Sequence, residues 1–237
     1  MSDSTRLAQE WLCLHGYDVE IDGIYGPATR AALTRFQTRR GLKPDGVLNP
    51  STLAGLEAPL RSIVEEVPDQ LRAANLVLDS AIVILATRIL RAGAREVGGP
   101  NRGPWVRLFM EGRDGPEWSW CIGLCHYVVA EAARAIRLPV PILDVFPGYT
   151  SCDAVARHAR LAGRLYTNGS PEPGNVMLVR RTSDDWIHAG IVADVDDGAK
   201  TFTTIEGNAS ATDPRNGDRV IRKTRALTGR YDFIRTS

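Results

Sequence analysis

The chain has 237 residues, 43% hydrophobic and 24% charged, the mixture of an ordinary globular protein rather than a disordered or fibrous one. A formal net charge of +1 gives no field to recruit nucleic acid or an anionic membrane, so a polymeric partner must be recognised by local chemistry. Four cysteines (Cys13, Cys121, Cys125, Cys152) are too few and too scattered for a disulfide scaffold, and no second close ligand pair suggests structural zinc. Residues 1–12 lack a basic segment followed by an apolar core and a cleavage site, so the expectation is a chain made in the cytoplasm without a signal peptide. The longest apolar stretch, 76–90, is interrupted by Asp79 and Arg88 and is shorter than the ~20 residues of a spanning helix, so no membrane insertion is expected.

In chain order, the first feature is an internal repeat. Asp22-Gly23-Ile24-Tyr25-Gly26-Pro27-Ala28-Thr29 returns at a spacing of 23 as Asp45-Gly46-Val47-Leu48-Asn49-Pro50-Ser51-Thr52. Each copy reads as an Asp-Gly turn, a short loop, and a helix entered through proline. The pattern predicts three helices, over 5–15, 27–39 and 50–56, with Ala28, Ala31, Ala32, Leu33 and Phe36 as an apolar stripe on the middle one. Cys13 falls on the apolar side of the first helix, where core packing is its expected role. A small helical bundle with two similar turns and no ligand fits this much equally well.

The residues say more than the periodicity does. The run from Asp22 to Gln37, with Tyr25, Gly26, Thr29, Ala32-Leu33 and Phe36-Gln37 in place, followed by Gly41-Leu42 and Asp45-Gly46, resembles the type 1 peptidoglycan-binding domain. The resemblance covers nearly all of residues 1–57 and implies a non-catalytic module that binds the bacterial wall. Tyr25 is the residue we expect to touch the wall.

Residues 58–86, rich in Leu, Ala, Val and Glu with breaks at Pro59 and Pro68, read as a helical linker. From 87 to 237 the texture is α+β. Helices are expected over 87–97, 121–136 and 152–162, then short strands near 176–180, 189–195, 201–206, 220–224 and 231–235. Helices segregated from an antiparallel sheet define the α+β class.

The chemistry of this second segment turns on Cys121. It follows the loop-forming Gly115-Pro116-Glu117-Trp118-Ser119-Trp120, and Cys121, Leu124, Cys125, Val128, Val129 and Ala132 recur at helical spacing. Cys121 therefore falls in the first turn, where the helix dipole and free N–H groups favour a thiolate, with Ser119 as the expected cap. A cysteine on such a stripe is more often inert core, and Cys125 fits that description; Cys121 escapes it only with a base in reach. Of the four histidines, His188 opens a strand. If Asp196-Asp197-Gly198 is a three-residue hairpin loop, opposed residues sum to 394, which sets His188 directly across from Glu206. A carboxylate there would accept the imidazole Nδ1–H, and Asn208 would add a polar contact on the same face. The alternative is a surface His–Glu pair on an exposed hairpin. Taken together, a helix-borne cysteine, a strand-borne histidine and a carboxylate on the next strand reproduce the roles of a papain-type site.

Trp120-Cys121 at a helix start, Pro173-Gly174-Asn175-Val176, His188-Ala-Gly-Ile-Val192 and Thr204-Ile-Glu206-Gly-Asn208 resemble the cysteine, histidine-dependent amidohydrolase/peptidase (CHAP) family, from about residue 91 onward. The segment Glu96 to Gly103 resembles what such domains carry before the nucleophile. Ile122 and Leu124 depart from the family's small residue and aromatic at those positions. The resemblance implies a papain-like fold, with Cys121 as nucleophile, His188 as base and then acid, Glu206 as orienter and Asn208 as support. It implies no metal or organic cofactor. Trp120 is the expected substrate contact, and Trp105, Trp118, Leu124 and the 149–152 turn are expected to line the groove. The sequence expectation is therefore a peptidoglycan hydrolase acting in the periplasm or cell wall, whether an endolysin, an exported effector or a prophage remnant, with a holin-type release partner or an immunity protein as its associates. An inactive wall-binding protein, an amidase for a glutathione-like amide, and acyl transfer to an amine remain open alternatives.

Overall fold

A computed structural model describes residues 2–73, 76–138, 151–167, 169–210 and 217–237. Helices α1 (Ser2–Leu14), α2 (Pro27–Arg39) and α3 (Pro50–Arg61) come first. Both prolines of the repeat sit at the first helical turn, where a missing N–H costs nothing, and Asn49 caps α3 by accepting from the Thr52 N–H at 2.9 Å.

The repeat has a physical basis that its motif only partly displays. Asp22 folds its own turn by accepting from the Ile24 N–H, and Asp45 does the same with Val47, at 2.8 and 2.9 Å. The glycines that follow, Gly23 and Gly46, adopt φ values of 77° and 67°, which favour glycine. Each turn is then clamped by a buried glutamine from the preceding helix. Gln9 accepts from Gly23 N–H and donates to Asp22 and Thr29; Gln37 accepts from Gly46 N–H and donates to Asp45 and Thr52. Tyr25 spans the two copies by donating its hydroxyl to the Gly46 carbonyl.

Beyond α3, a π-helical turn (Ser62–Glu66) runs into α4 (Val67–Ala73), followed by α5 (Leu78–Arg91). Helices thus pass through both 57/58 and 86/87. The helix expected over 87–97 instead starts at Leu78 and stops at Arg91, because Gly93 (φ 71°) takes the left-handed turn that ends it. Asp79 at its start is tied to the chain's end by the Thr236 hydroxyl at 2.9 Å. After α6 (Pro104–Phe109), α7 (Cys121–Ala135) and α8 (Cys152–Leu161) comes the sheet: β1 (Leu165–Thr167), β2 (Val176–Thr182), β3 (Asp185–Asp196), β4 (Thr201–Ala209), β5 (Arg219–Ala226) and β6 (Tyr231–Ile234). The strands lie in the order β1-β6-β2-β3-β4-β5, all antiparallel, so the α+β class is as expected. Strand β1 carries too few residues to announce itself in the sequence.

Alternation divides the sheet's two faces. Val176, Leu178, Ala189, Ile191, Ile205 and Ile234 join the helices in one large core, while Met177, Val179, Val192, Phe202 and Phe233 form a smaller cluster. The large core also takes in Trp11, Leu33 and Phe36, so the N-terminal helices are docked on the rest and not merely strung to it. At the join Trp11 meets Trp105 edge-on at 6.2 Å between ring centroids, and Arg107 forks onto Glu10, which is buried. Arg95 donates to the Leu14 carbonyl at 3.0 Å, closing the C-terminal end of α1. No helix among the described residues is long and apolar enough to cross a membrane.

Replacing Gln37 with leucine would leave the buried Gly46 N–H and Thr52 hydroxyl unsatisfied. We expect a loss of about 1–3 kcal/mol, read as a lower urea midpoint at unchanged m-value.

Candidate active site

Helix α7 delivers Cys121 at its first position. Its N-cap is Trp120, with no side-chain hydrogen bond, so Ser119 does not cap the helix as expected. The start of α7 lies close on α6: a Cβ at Gly123 would come within 2.9 Å of the Phe109 carbonyl oxygen. Trp120 is fully buried, stacks on Phe109 at 5.6 Å and donates its indole N–H to Glu96 at 2.8 Å. Gly207 makes room for it, since a Cβ there would stand 2.7 Å from the indole ring. Trp120 therefore packs the start of α7 in the core and has no exposed surface, where the sequence expectation is a substrate contact.

Strand β3 brings His188 beside Cys121, near enough to lower the thiol. It is Nε2, and not the Nδ1 expected from sequence, that meets Glu206 Oε2, at 2.9 Å. The expected register is also wrong. Val195 pairs with Phe202 and Asp196 with Thr201, leaving 197–200 as the loop, and a bulge at Ala193 shifts the ladder again. Glu206 consequently lies beside Gly190 and reaches His188 diagonally. Glycine is required at 190, because a Cβ would come within 2.7 Å of Glu206 Cγ.

Glu206 is completely buried, and it is ionised because cations surround it. Arg225 grips it with both arms of its guanidinium at 2.7 and 2.8 Å, Lys223 lies 3.9 Å away, and the Thr204 hydroxyl donates to the same carboxylate. Burial alone would raise this carboxyl, but the His188 and Arg225 bonds hold it far below the usual range. Burial likewise opposes charge on His188, yet Cys121 and Glu206 raise it to about 9. Cys121 is held well below the ordinary thiol range first by its contact with the Cys152 thiol, then, against burial, by His188 and the Ala189 N–H. These shifts favour a thiolate on Cys121 beside a protonated His188, backed by a carboxylate and a guanidinium.

Arg225 and Thr204 were not found from sequence. Arg225 lies on β5 beyond a long connection whose register no pattern fixes; the one available signal was that a buried orienting carboxylate needs a cation. Asn208 does not join the group. A bulge before Ala209 turns it to φ 49°, and its side chain donates to Asn101 at 3.2 Å, in a polar depression shared with Glu96, Ser119 and Asp218. Trp105 and Leu124, expected in a groove, are buried in the core. Trp118 is partly buried beneath Arg113, and Ser151 caps α8. Residues 149 and 150 lie outside the described residues. Tyr25, partly exposed, stands in the N-terminal helices. Among the described residues no group of three or more His, Cys, Asp or Glu side chains is placed to hold a metal.

Glu206→Gln should lower His188 from about 9, since burial is then opposed by Cys121 without the carboxylate; NMR titration of the imidazole reads this. Arg225→Met strands a buried carboxylate and should cost about 3–5 kcal/mol in denaturant unfolding. The Glu206 contribution to stability is present above the ordinary carboxylate range and is lost as pH falls; that of His188 is lost as pH rises through about 9.

Comparison with known proteins addresses the N-terminal helices. Residues 2–56 match the family model described as "Putative peptidoglycan binding domain". The "Uncharacterized protein in bpoA1 3'region" of Kitasatospora aureofaciens is 53% identical over 38 residues, 16% of this chain and 32% of that protein. The "Zinc D-Ala-D-Ala carboxypeptidase" of Streptomyces albus G is 51% identical over 37 residues, 16% of this chain and 14% of that protein. The chain thus spans a third or less of the curated relatives' length, and no solved structure matches it. The N-terminal segment, residues 2–56, is a peptidoglycan-binding domain.

Proposed function

We propose that this chain is a peptidoglycan hydrolase that cuts an amide bond of the bacterial wall with Cys121, in a CHAP-like, papain-type domain anchored by the N-terminal module. The observation that carries the reading is Cys121 at a helix start beside His188, whose Nε2 bonds the buried Glu206 at 2.9 Å. A wall-binding domain on the same polypeptide supports a wall substrate. So does the peptidase name of the Streptomyces albus G relative, within the short segment it shares.

In this reading the Cys121 thiolate attacks the amide carbonyl, and backbone N–H groups at the start of α7, beginning with that of Cys121, receive the oxyanion. His188 gives its Nδ1 proton to the leaving amine and then takes one from water, which releases the acyl group. Glu206 fixes the tautomer and keeps the imidazolium favourable, and Arg225 keeps Glu206 ionised. The docked module holds the site against an insoluble polymer, which raises local substrate concentration without touching the chemistry. Tyr25 is the wall contact we assign to it.

Wild-type protein should release soluble fragments from purified sacculi, and Cys121→Ala should release none while still sedimenting with the wall; mass spectrometry of the new termini identifies the bond. Equal silence of both proteins across several wall chemotypes would sink the enzyme reading. The pH profile of kcat/KM should rise as Cys121 deprotonates, well below the ordinary thiol range, and fall as His188 deprotonates near pH 9.

A further inference from the structure

Cys152 is the one cysteine that meets the nucleophile from another element. It opens α8 as Cys121 opens α7, and the two sulfurs are 4.0 Å apart. Cys121 is 6% exposed and Cys152 8%, whereas Cys125, a turn deeper in α7, is fully enclosed. No step of the hydrolytic reading uses Cys152. Its neighbour Asp153 has the structural task here, accepting from the Trp186 N–H at 2.7 Å.

We propose that Cys121 and Cys152 form a reversible dithiol–disulfide site, with Cys152 resolving the oxidised nucleophile and thereby switching the hydrolase off. The switching consequence rests on the hydrolase reading; the disulfide does not. The oxidant class is a hydroperoxide. The Cys121 thiolate donates an electron pair to one peroxide oxygen, forming S–O as O–O breaks, and the departing hydroxide takes the His188 proton to leave as water. The Cys152 sulfur then attacks the sulfenic sulfur, forming S–S as S–O breaks, and the second hydroxide leaves as water with the Cys152 proton. The two sulfurs together lose two electrons and the peroxide gains them.

The geometry suits both steps. Reaction begins with a thiolate beside a protonated imidazole, and Cys152, raised well above the ordinary range by its contact with Cys121 and by burial, stays a protonated thiol until it is needed. Closing a disulfide brings the sulfurs to about 2.05 Å, roughly a halving of their separation, which side-chain rotation at two helix starts shares between them. Cys125 is no rival, because it is shut away from oxidant and burial holds its thiol protonated.

The test uses the full reduced chain and stoichiometric hydrogen peroxide, followed by intact mass, non-reducing peptide mapping and sacculus digestion. We expect a loss of about 2 Da, a peptide pair joined through Cys121 and Cys152, loss of fragment release, and recovery of all three with dithiothreitol. In Cys152→Ser the same dose should leave a Cys121 sulfenic acid, trapped by a dione probe, that proceeds to the sulfinic acid. The proposal is overturned if wild type follows that course with no cross-link, or if Cys121 pairs with another cysteine. Should the cross-link form in a chain whose reduced state releases nothing from any wall, the disulfide site stands and the hydrolase reading falls.

Discussion

A single buried carboxylate organises the second half of this molecule. Glu206 has no exposed surface, and an ionised group there would cost several kcal/mol without compensation. Arg225 from β5, Thr204 from its own strand and His188 from β3 provide that compensation together. Three strands are thereby pinned at one point, and the imidazole is held by its Nε2 beside Cys121. The absence of side chains at Gly190 and Gly207 is part of the same design: one glycine admits the carboxylate, the other admits the Trp120 ring that sets the start of α7.

The join between the wall-binding domain and the rest follows a similar logic on a smaller scale. Glu10 is buried in α1 and matched by the Arg107 fork, while Trp11 packs on Trp105 within a core shared by both parts. A module docked this way presents its partner polymer from a fixed direction. Under the proposed function, module and nucleophile then act as one surface, and loosening Glu10–Arg107 would separate binding from cutting without altering either site.

How much of this was legible beforehand differs by level. The Asp-Gly-x-x-x-Pro repeat was plain because turn and helix-start chemistry is local, and the family model covers it. Cys121 on a helix start and His188 with Glu206 were found because helical spacing and strand order are short-range. The ladder itself was not: the bulge at Ala193 and the longer 197–200 loop moved the register, and the His–Glu contact survives only because a diagonal neighbour is also within reach. Arg225 was invisible because its partner lies across a connection of unspecified register. Trp120 as a substrate contact and Trp105 and Leu124 as groove residues are expectations from residue type, yet large apolar side chains around Cys121 have a core to fill first.

Under the proposed function Cys121 rests as a thiolate paired with protonated His188. The most direct measurement is the ultraviolet thiolate absorbance of wild type against pH, with Cys121→Ser subtracted and His188→Ala in parallel. We expect a Cys121 transition far below the ~8.5 of a free cysteine in wild type, moved sharply upward in His188→Ala. A wild-type transition at or above the free value, indifferent to His188, would contradict it and return Cys121 to the inert core.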